Sequence, residues 1–269
     1  MDLHRELERQ LELSGYDGEG FAERYDAYRP RTPVALVELL TALAGGRVHR
    51  VVDVGCGTGL STRAWADAAD EVIGIEPNDA MRRVAESVTS AENVRYQAGS
   101  SYATGLDDGC ADILTCSQSL QWMEPERTLA EIRRVLRPDG VFAAYQYENL
   151  QTPYWEPEAA FGEVRRRVSV LNTQLGVRQE RPRWPLSLDR VQQEAQFRDS
   201  RELFLHSVEE GDADRLVGFA LSEGSTTTLL ARGYSEDDLG LGLLRDAAAR
   251  WLAKPATWWL SYRVIVALK

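Results

Sequence analysis

Cysteine and histidine are scarce, three of each in 269 residues. The odd set Cys56, Cys110 and Cys116 has no C-x-x-C spacing, which excludes a disulfide framework and a cysteine-based zinc site. Reduced thiols in a cytoplasmic protein are the expectation. His4, His49 and His206 have no carboxylate or second histidine at ligand spacing, so no metal centre is expected and no general base is visible. Long apolar runs are absent as well. Nothing approaches the roughly 20 residues of a membrane span, and the opening "MDLHRELERQLELSG" is too charged for a signal peptide. Positive charge is in the minority, with 31 basic against 42 acidic residues and a net charge of -11. A surface of that sign repels phosphate backbones and anionic lipid, so neither nucleic acid nor a membrane is expected as a partner. Nothing in the sequence speaks to oligomeric state.

What is present is alternation. Residues 3–13, 20–28 and 33–44 read as amphipathic helices, the last opened by Pro33 and stopped by Gly45 and Gly46. Short apolar strands then alternate with helices. Strands are expected at 50–54, 71–76, 93–99, 111–119 and 141–147, and helices at 60–69, 78–89 and 125–137. That order predicts an α/β fold, a doubly wound, Rossmann-like, mostly parallel seven-stranded sheet with N-terminal helices and a helical cap insertion. Residues 155–171, 212–221 and 236–253 read as helical, 176–187 as a loop, and 201–209 and the alternating end "ATWWLSYRVIVALK" as the last strands. The expected organisation is an N-terminal helical lid (1–48), a cofactor-binding core (49–148), and cap helices with the final strands (149–269).

The chemistry sits in "VVDVGCGTG" and the strand that follows. In a doubly wound sheet the ligand lies beyond the carboxyl ends of the strands, where Asp53, Gly55, Gly57 and Gly59 fall. The glycines allow a tight turn and close approach of a ligand. Their G-x-G-x-G spacing differs from the dinucleotide fingerprint, which would need a glycine at Leu60, and no lysine makes it a P-loop. Glu76 ends the second strand, 23 residues after Asp53, where a carboxylate accepts hydrogen bonds from vicinal ribose hydroxyls. A carboxylate at Asp53 suits an amino or sulfonium group and repels a pyrophosphate. Ribose plus positive charge, with no phosphate binder, describes S-adenosylmethionine.

With "VVDVGCGTG" and "VIGIEP" in place, residues 20–148 resemble the class I S-adenosylmethionine-dependent methyltransferases. The stretch "GSSYATGLDDGCAD" resembles the family block whose acid commonly holds the adenine amine; here Ser100 and Ser101 stand at that point. The resemblance puts Met81 against adenine. Ser117 and Gln118 follow the fourth strand, where ligand contacts are common, and are expected as further cofactor contacts. "FAERYDAYRPRTP" and "SQSLQWM" are similar to the small-molecule subgroup that includes trans-aconitate methyltransferase. That subgroup implies that Tyr25 and Arg29 close over the cofactor, with Arg29 on the methionine carboxylate. Strand ends put Trp122 and Tyr147 on the cofactor side of the sheet, toward a small-molecule substrate. The expected reaction is in-line methyl transfer, to oxygen of an acidic or readily ionised small molecule. The competing readings are a methyltransferase acting on a macromolecule and a cofactor-binding relative that is non-catalytic or non-methylating.

Overall fold

The computed structural model describes residues 18, 20–176, 186–195 and 197–269. The expected helix at 3–13, and most of the loop expected at 176–187, lie outside the described residues. The chain divides into two compact units. One comprises Arg31–Glu148, Arg183–Ser207 and Ser261–Lys269; the other comprises Met1–Pro30, Asn149–Pro182 and Val208–Leu260.

The sheet has seven strands: β1 (Val48–Val54), β2 (Ala69–Ile75), β3 (Val94–Gln97), β4 (Ala111–Ser117), β5 (Leu136–Gln151), β6 (Asp199–Gly211) and β7 (Ala256–Leu268). Their spatial order is β3-β2-β1-β4-β5-β7-β6, and the pairs from β3 through β5 are parallel. The order reverses between β1 and β4, the crevice where doubly wound sheets bind ligands. β7 runs against β5: the Lys269 N–H donates to the Gly140 carbonyl at 3.0 Å, and farther along Tyr147 meets Tyr262 edge-on at 6.3 Å. β6 begins where β7 ends, with the Arg198 N–H on the Leu268 carbonyl. The inner strands are apolar on both faces. Val52, Val54, Ile73, Ile75, Leu114, Phe142 and Ile265 are essentially unexposed in one cluster, and Val51, Val72, Ile113 and Val141, paired on the opposite face, are fully buried too, as strands covered on both sides require.

Among the described residues up to β5 the α-helices are α1 (Phe21–Tyr28), which belongs to the second unit, and α2 (Val34–Leu43), α3 (Leu60–Arg63), α4 (Asp79–Val88) and α5 (Pro125–Val135) of the first. α4 starts where expected, because the Asn78 side chain accepts from the N–H groups of Ala80 and Met81. The helix expected at 60–69 is corrected: only Leu60–Arg63 is helical. Beyond it the bonds become three-residue turns, Trp65 N–H to Thr62 O and Ala68 N–H to Trp65 O. The sequence there is Ala-rich and reads as helix, yet tertiary contacts prevail: Trp65 is fully buried, and Ser61 and Thr62 are held by buried groups.

The remaining helices are α6 (Trp155–Gln174), α7 (Leu188–Ala195), α8 (Ala213–Leu221), α9 (Gly224–Ala231), α10 (Glu236–Leu239) and α11 (Leu241–Trp251). The helix expected at 236–253 is broken at Gly240, whose φ of 77° is left-handed. α9 carried no helical signal, with three consecutive threonines and no capping side chain. In the second unit Phe161 packs on Phe219 at 5.3 Å, and the Tyr28 ring covers Gly218 so closely that any side chain there would collide.

Candidate functional site

The glycine loop follows β1 directly, and all three glycines have left-handed φ: 68° at Gly55, 57° at Gly57 and 81° at Gly59. Their reasons differ. A Cβ on Gly55 would stand 2.6 Å from Met123 Cε and 2.8 Å from Ser119 Cβ, and one on Gly59 would stand 2.8 Å from Tyr96 Cζ. Both are demanded by packing as well as by backbone. At Gly57 a Cβ meets only the far end of the Met81 side chain, Cε, at 3.3 Å. This is where the loop keeps its backbone uncovered, so the glycine suited to ligand approach is Gly57.

Glu76 follows β2 and is 7% exposed. Its Oε2 accepts from the Gly57 N–H and its Oε1 from the Asn78 N–H, both at 2.9 Å. Each oxygen keeps a second lone pair, so the group is oriented yet able to accept two more donors. Burial raises its pKa to about 7, against the pull of those two amides and of Arg82, while the Asp53 charge adds to the rise. Met81 lies one turn into α4, buried, with its methyl beside Gly57.

Asp53 is wholly unexposed at the end of β1. The Thr62 hydroxyl donates to Oδ2 at 2.8 Å and the Thr115 hydroxyl to Oδ1 at 2.7 Å. Burial raises this carboxyl to about 6, against the pull of the nearby Thr115, Thr62 and Ser61 hydroxyls. Asp53 is therefore a satisfied charge behind the loop rather than an open hook.

Across the switch point, β4 ends at Ser117 and Gln118 turns with a φ of 54°, unusual for a residue other than glycine. Its N–H donates to the Tyr145 carbonyl and its carbonyl accepts from Gln121 Nε2, both at 2.8 Å. Its own Nε2 is buried without a partner, and the same holds for the Thr58 hydroxyl inside the loop. A strained backbone beside an unpaired buried amide is the pattern of a ligand contact. Trp122 is half-buried in the short turn Leu120–Trp122, and Tyr147 is half-buried on β5. Ser100 and Ser101 follow β3: Ser100 pairs by backbone with Ala103, and the Ser101 hydroxyl lies 2.7 Å from that of Thr128.

The strand ends thus gather Asp53, the glycines, Glu76, Met81, Ser117 and Gln118 in one unit. Tyr25 and Arg29 belong to the other unit. There the Arg29 guanidinium lies over the Tyr25 and Phe219 rings, at 4.8 and 4.9 Å, and donates to the Ser222 hydroxyl and carbonyl at 2.9 and 2.7 Å. Sequence reasoning missed Ser61, Thr62, Thr115 and Tyr145, which surround Asp53. Tyr145 is the one polar tip in the apolar run "VFAAY", and that was its only signal. Among the described residues no group of three or more metal-ligating side chains occurs, and no helix is long and apolar enough to cross a membrane.

A doubly wound sheet in this order, with a glycine loop after β1 and an acid after β2, defines the class I S-adenosylmethionine-dependent methyltransferase fold. Residues 52–144 match the family model described as a methyltransferase domain. A probable S-adenosylmethionine-dependent methyltransferase of Saccharomyces cerevisiae is 31% identical over 128 residues, which are 46% of this chain and 44% of that protein. The uncharacterised methyltransferase YcgJ of Bacillus subtilis is 34% identical over 98 residues, 39% of its length. This chain therefore aligns with less than half of each of these relatives. A solved structure from Anaeromyxobacter dehalogenans, a candidate type II methyltransferase, is 26% identical with a TM-score of 0.62, covering 90% of this chain and 98% of that one. The YcgJ structure, 20% identical with a TM-score of 0.53 and covering 87% and 97%, has the same fold.

The site's donor set fits S-adenosylmethionine, the cofactor of this class. Glu76 has spare acceptor capacity for ribose, Gly57 leaves its backbone uncovered beside an apolar Met81, and no lysine stands in the loop for a phosphate.

Proposed function

We propose that the protein is an S-adenosylmethionine-dependent methyltransferase acting on a small molecule. The observation that carries this reading is the Glu76 carboxylate, fixed by two backbone N–H groups with a lone pair to spare on each oxygen. Glu76 takes the ribose hydroxyls. Gly55, Gly57 and Gly59 shape the turn, and Met81 offers an apolar wall to adenine. Ser100 and Ser101 stand at the adenine edge, and Ser117 and the unpaired Gln118 amide contact the methionine part. Asp53 acts through its charge behind the loop, favouring a cationic ligand over a neutral one. For Tyr25 and Arg29 as further cofactor contacts, support comes from resemblance alone.

When bound, the cofactor supplies a methyl group already activated by a positive sulfur. What the chain must add is alignment of the acceptor and exclusion of water. Trp122 and Tyr147 are the side chains proposed to border the acceptor. With no general base among the residues named, an acceptor that ionises by itself fits best, and we place the methyl on oxygen of a small acid or phenol. The net charge of -11 supports a small substrate over a nucleic acid. A screen of small acids, phenols and amines with labelled cofactor tests this. Label in an acid or phenol is the expected result; label only in protein or RNA overturns the small-molecule reading, and label in an amine overturns the choice of oxygen.

A further inference from the structure

A line of hydroxyls runs from Thr32 to the start of α3, directly after the glycine loop. Thr32 Oγ1 lies 3.0 Å from Tyr145 Oη, and Tyr145 Oη lies 2.5 Å from Ser61 Oγ. The next residue, Thr62, donates to Asp53 Oδ2 at 2.8 Å. All five residues belong to the same unit. Hydrogen bonds in such a line polarise one another and are stronger together than separately. Tyr145 is 2% exposed, and its pKa is raised, by burial first and by the Asp53 charge second, so its proton stays in place.

The far end of the line is equally defined. Thr32 precedes α2 in a short segment that begins at the unit boundary, Arg31. The Tyr262 hydroxyl, from β7, donates to the Arg31 carbonyl at 2.7 Å. Two strands therefore each lend one tyrosine hydroxyl to residues 31 and 32, and the one from β5 continues to Ser61 after the loop.

We propose that Tyr145 is a positioning residue: its hydroxyl ties Ser61, and with it the adjoining Thr62 that holds Asp53 and the glycine loop just before, to the Arg31–Thr32 segment, so that the loop's readiness for a nucleoside ligand depends on Thr32. The proposal rests on the reading of this loop as the cofactor site. Neither Thr32 nor Tyr145 is assigned to cofactor contact in that reading.

The test uses Thr32→Val, which keeps the shape and removes the hydroxyl, and Thr32→Ser, which keeps the hydroxyl. Two quantities are read: affinity for S-adenosylhomocysteine by calorimetry, and amide exchange of residues 57–63 without ligand. Thr32→Val should weaken affinity about tenfold and speed exchange across the loop, while Thr32→Ser should match the parent in both. Equal affinity for parent and Thr32→Val, or a Thr32→Ser variant as impaired as Thr32→Val, overturns the proposal. If the parent itself does not bind, the cofactor reading fails, and unchanged ligand-free exchange in Thr32→Val then overturns the tie on its own.

Discussion

Two carboxylates, Asp53 and Glu76, sit in or beside the glycine loop with raised pKa values, about 6 and about 7. The sign of the resulting pH effect follows from linkage. Each folded-state value lies above the ordinary one, so the folded protein retains protons that the unfolded chain has released. These two groups favour the ligand-free fold on the acid side, and that contribution is lost as pH rises from about 4.5 through about 7. Ligand binding runs the other way, because ribose hydroxyls donate to an ionised Glu76. Arg82 and the amides of Gly57 and Asn78 favour that ionised form, while Asp53 opposes it. Affinity for S-adenosylhomocysteine should therefore rise between pH 6 and pH 8, and in Glu76→Gln most of that rise should vanish. Calorimetry across that range checks both; a flat profile in the parent contradicts the assignment. The glycines give a second prediction at this scale. Gly59→Ala places a methyl against the Tyr96 ring at a left-handed φ and should cost about 2–4 kcal/mol of stability. Gly57→Ala carries the backbone strain without that collision and should cost about 1–2 kcal/mol, so thermal melts should rank Gly59→Ala clearly below Gly57→Ala.

At the scale of elements, the parallel strands were legible because each is a short apolar run flanked by breakers, and α4 because Asn78 caps it. The first crossover was misread. Composition at 60–69 says helix, but Ser61 and Thr62 are used to satisfy Asp53 and Tyr145, and Trp65 must reach the core, so the chain tightens after one turn. Local propensity could not reveal that, since the partners lie 9 and 84 residues away. The glycine loop and Glu76 were readable because their spacing is local and chemically narrow. The hydroxyls around Asp53 were not, because Thr115 and Tyr145 join it only through strand pairing. The first helix carries its own prediction. If Tyr25 and Arg29 respond to cofactor, amide exchange over residues 20–31 should slow when S-adenosylhomocysteine is added. Exchange indifferent to the ligand removes these two residues from the proposed contacts.

At the scale of the whole molecule, the sheet order makes the site possible. The reversal between β1 and β4 opens the crevice, and the parallel strands bring Asp53, Glu76 and Ser117 to the same end of it. The acidic balance of the chain was plain from the sequence and bears on what can approach that crevice. The choice of substrate was not plain, because acceptor specificity depends on side chains drawn from distant segments. The central claim is that a nucleoside cofactor binds through Glu76, and one calorimetric comparison tests it most directly. S-adenosylhomocysteine titrated into the parent and into Glu76→Ala should bind the parent and lose about 1.5–3 kcal/mol of binding free energy in the variant, with the variant's circular dichroism unchanged. Equal affinity in the two proteins, or no binding to the parent, would contradict it.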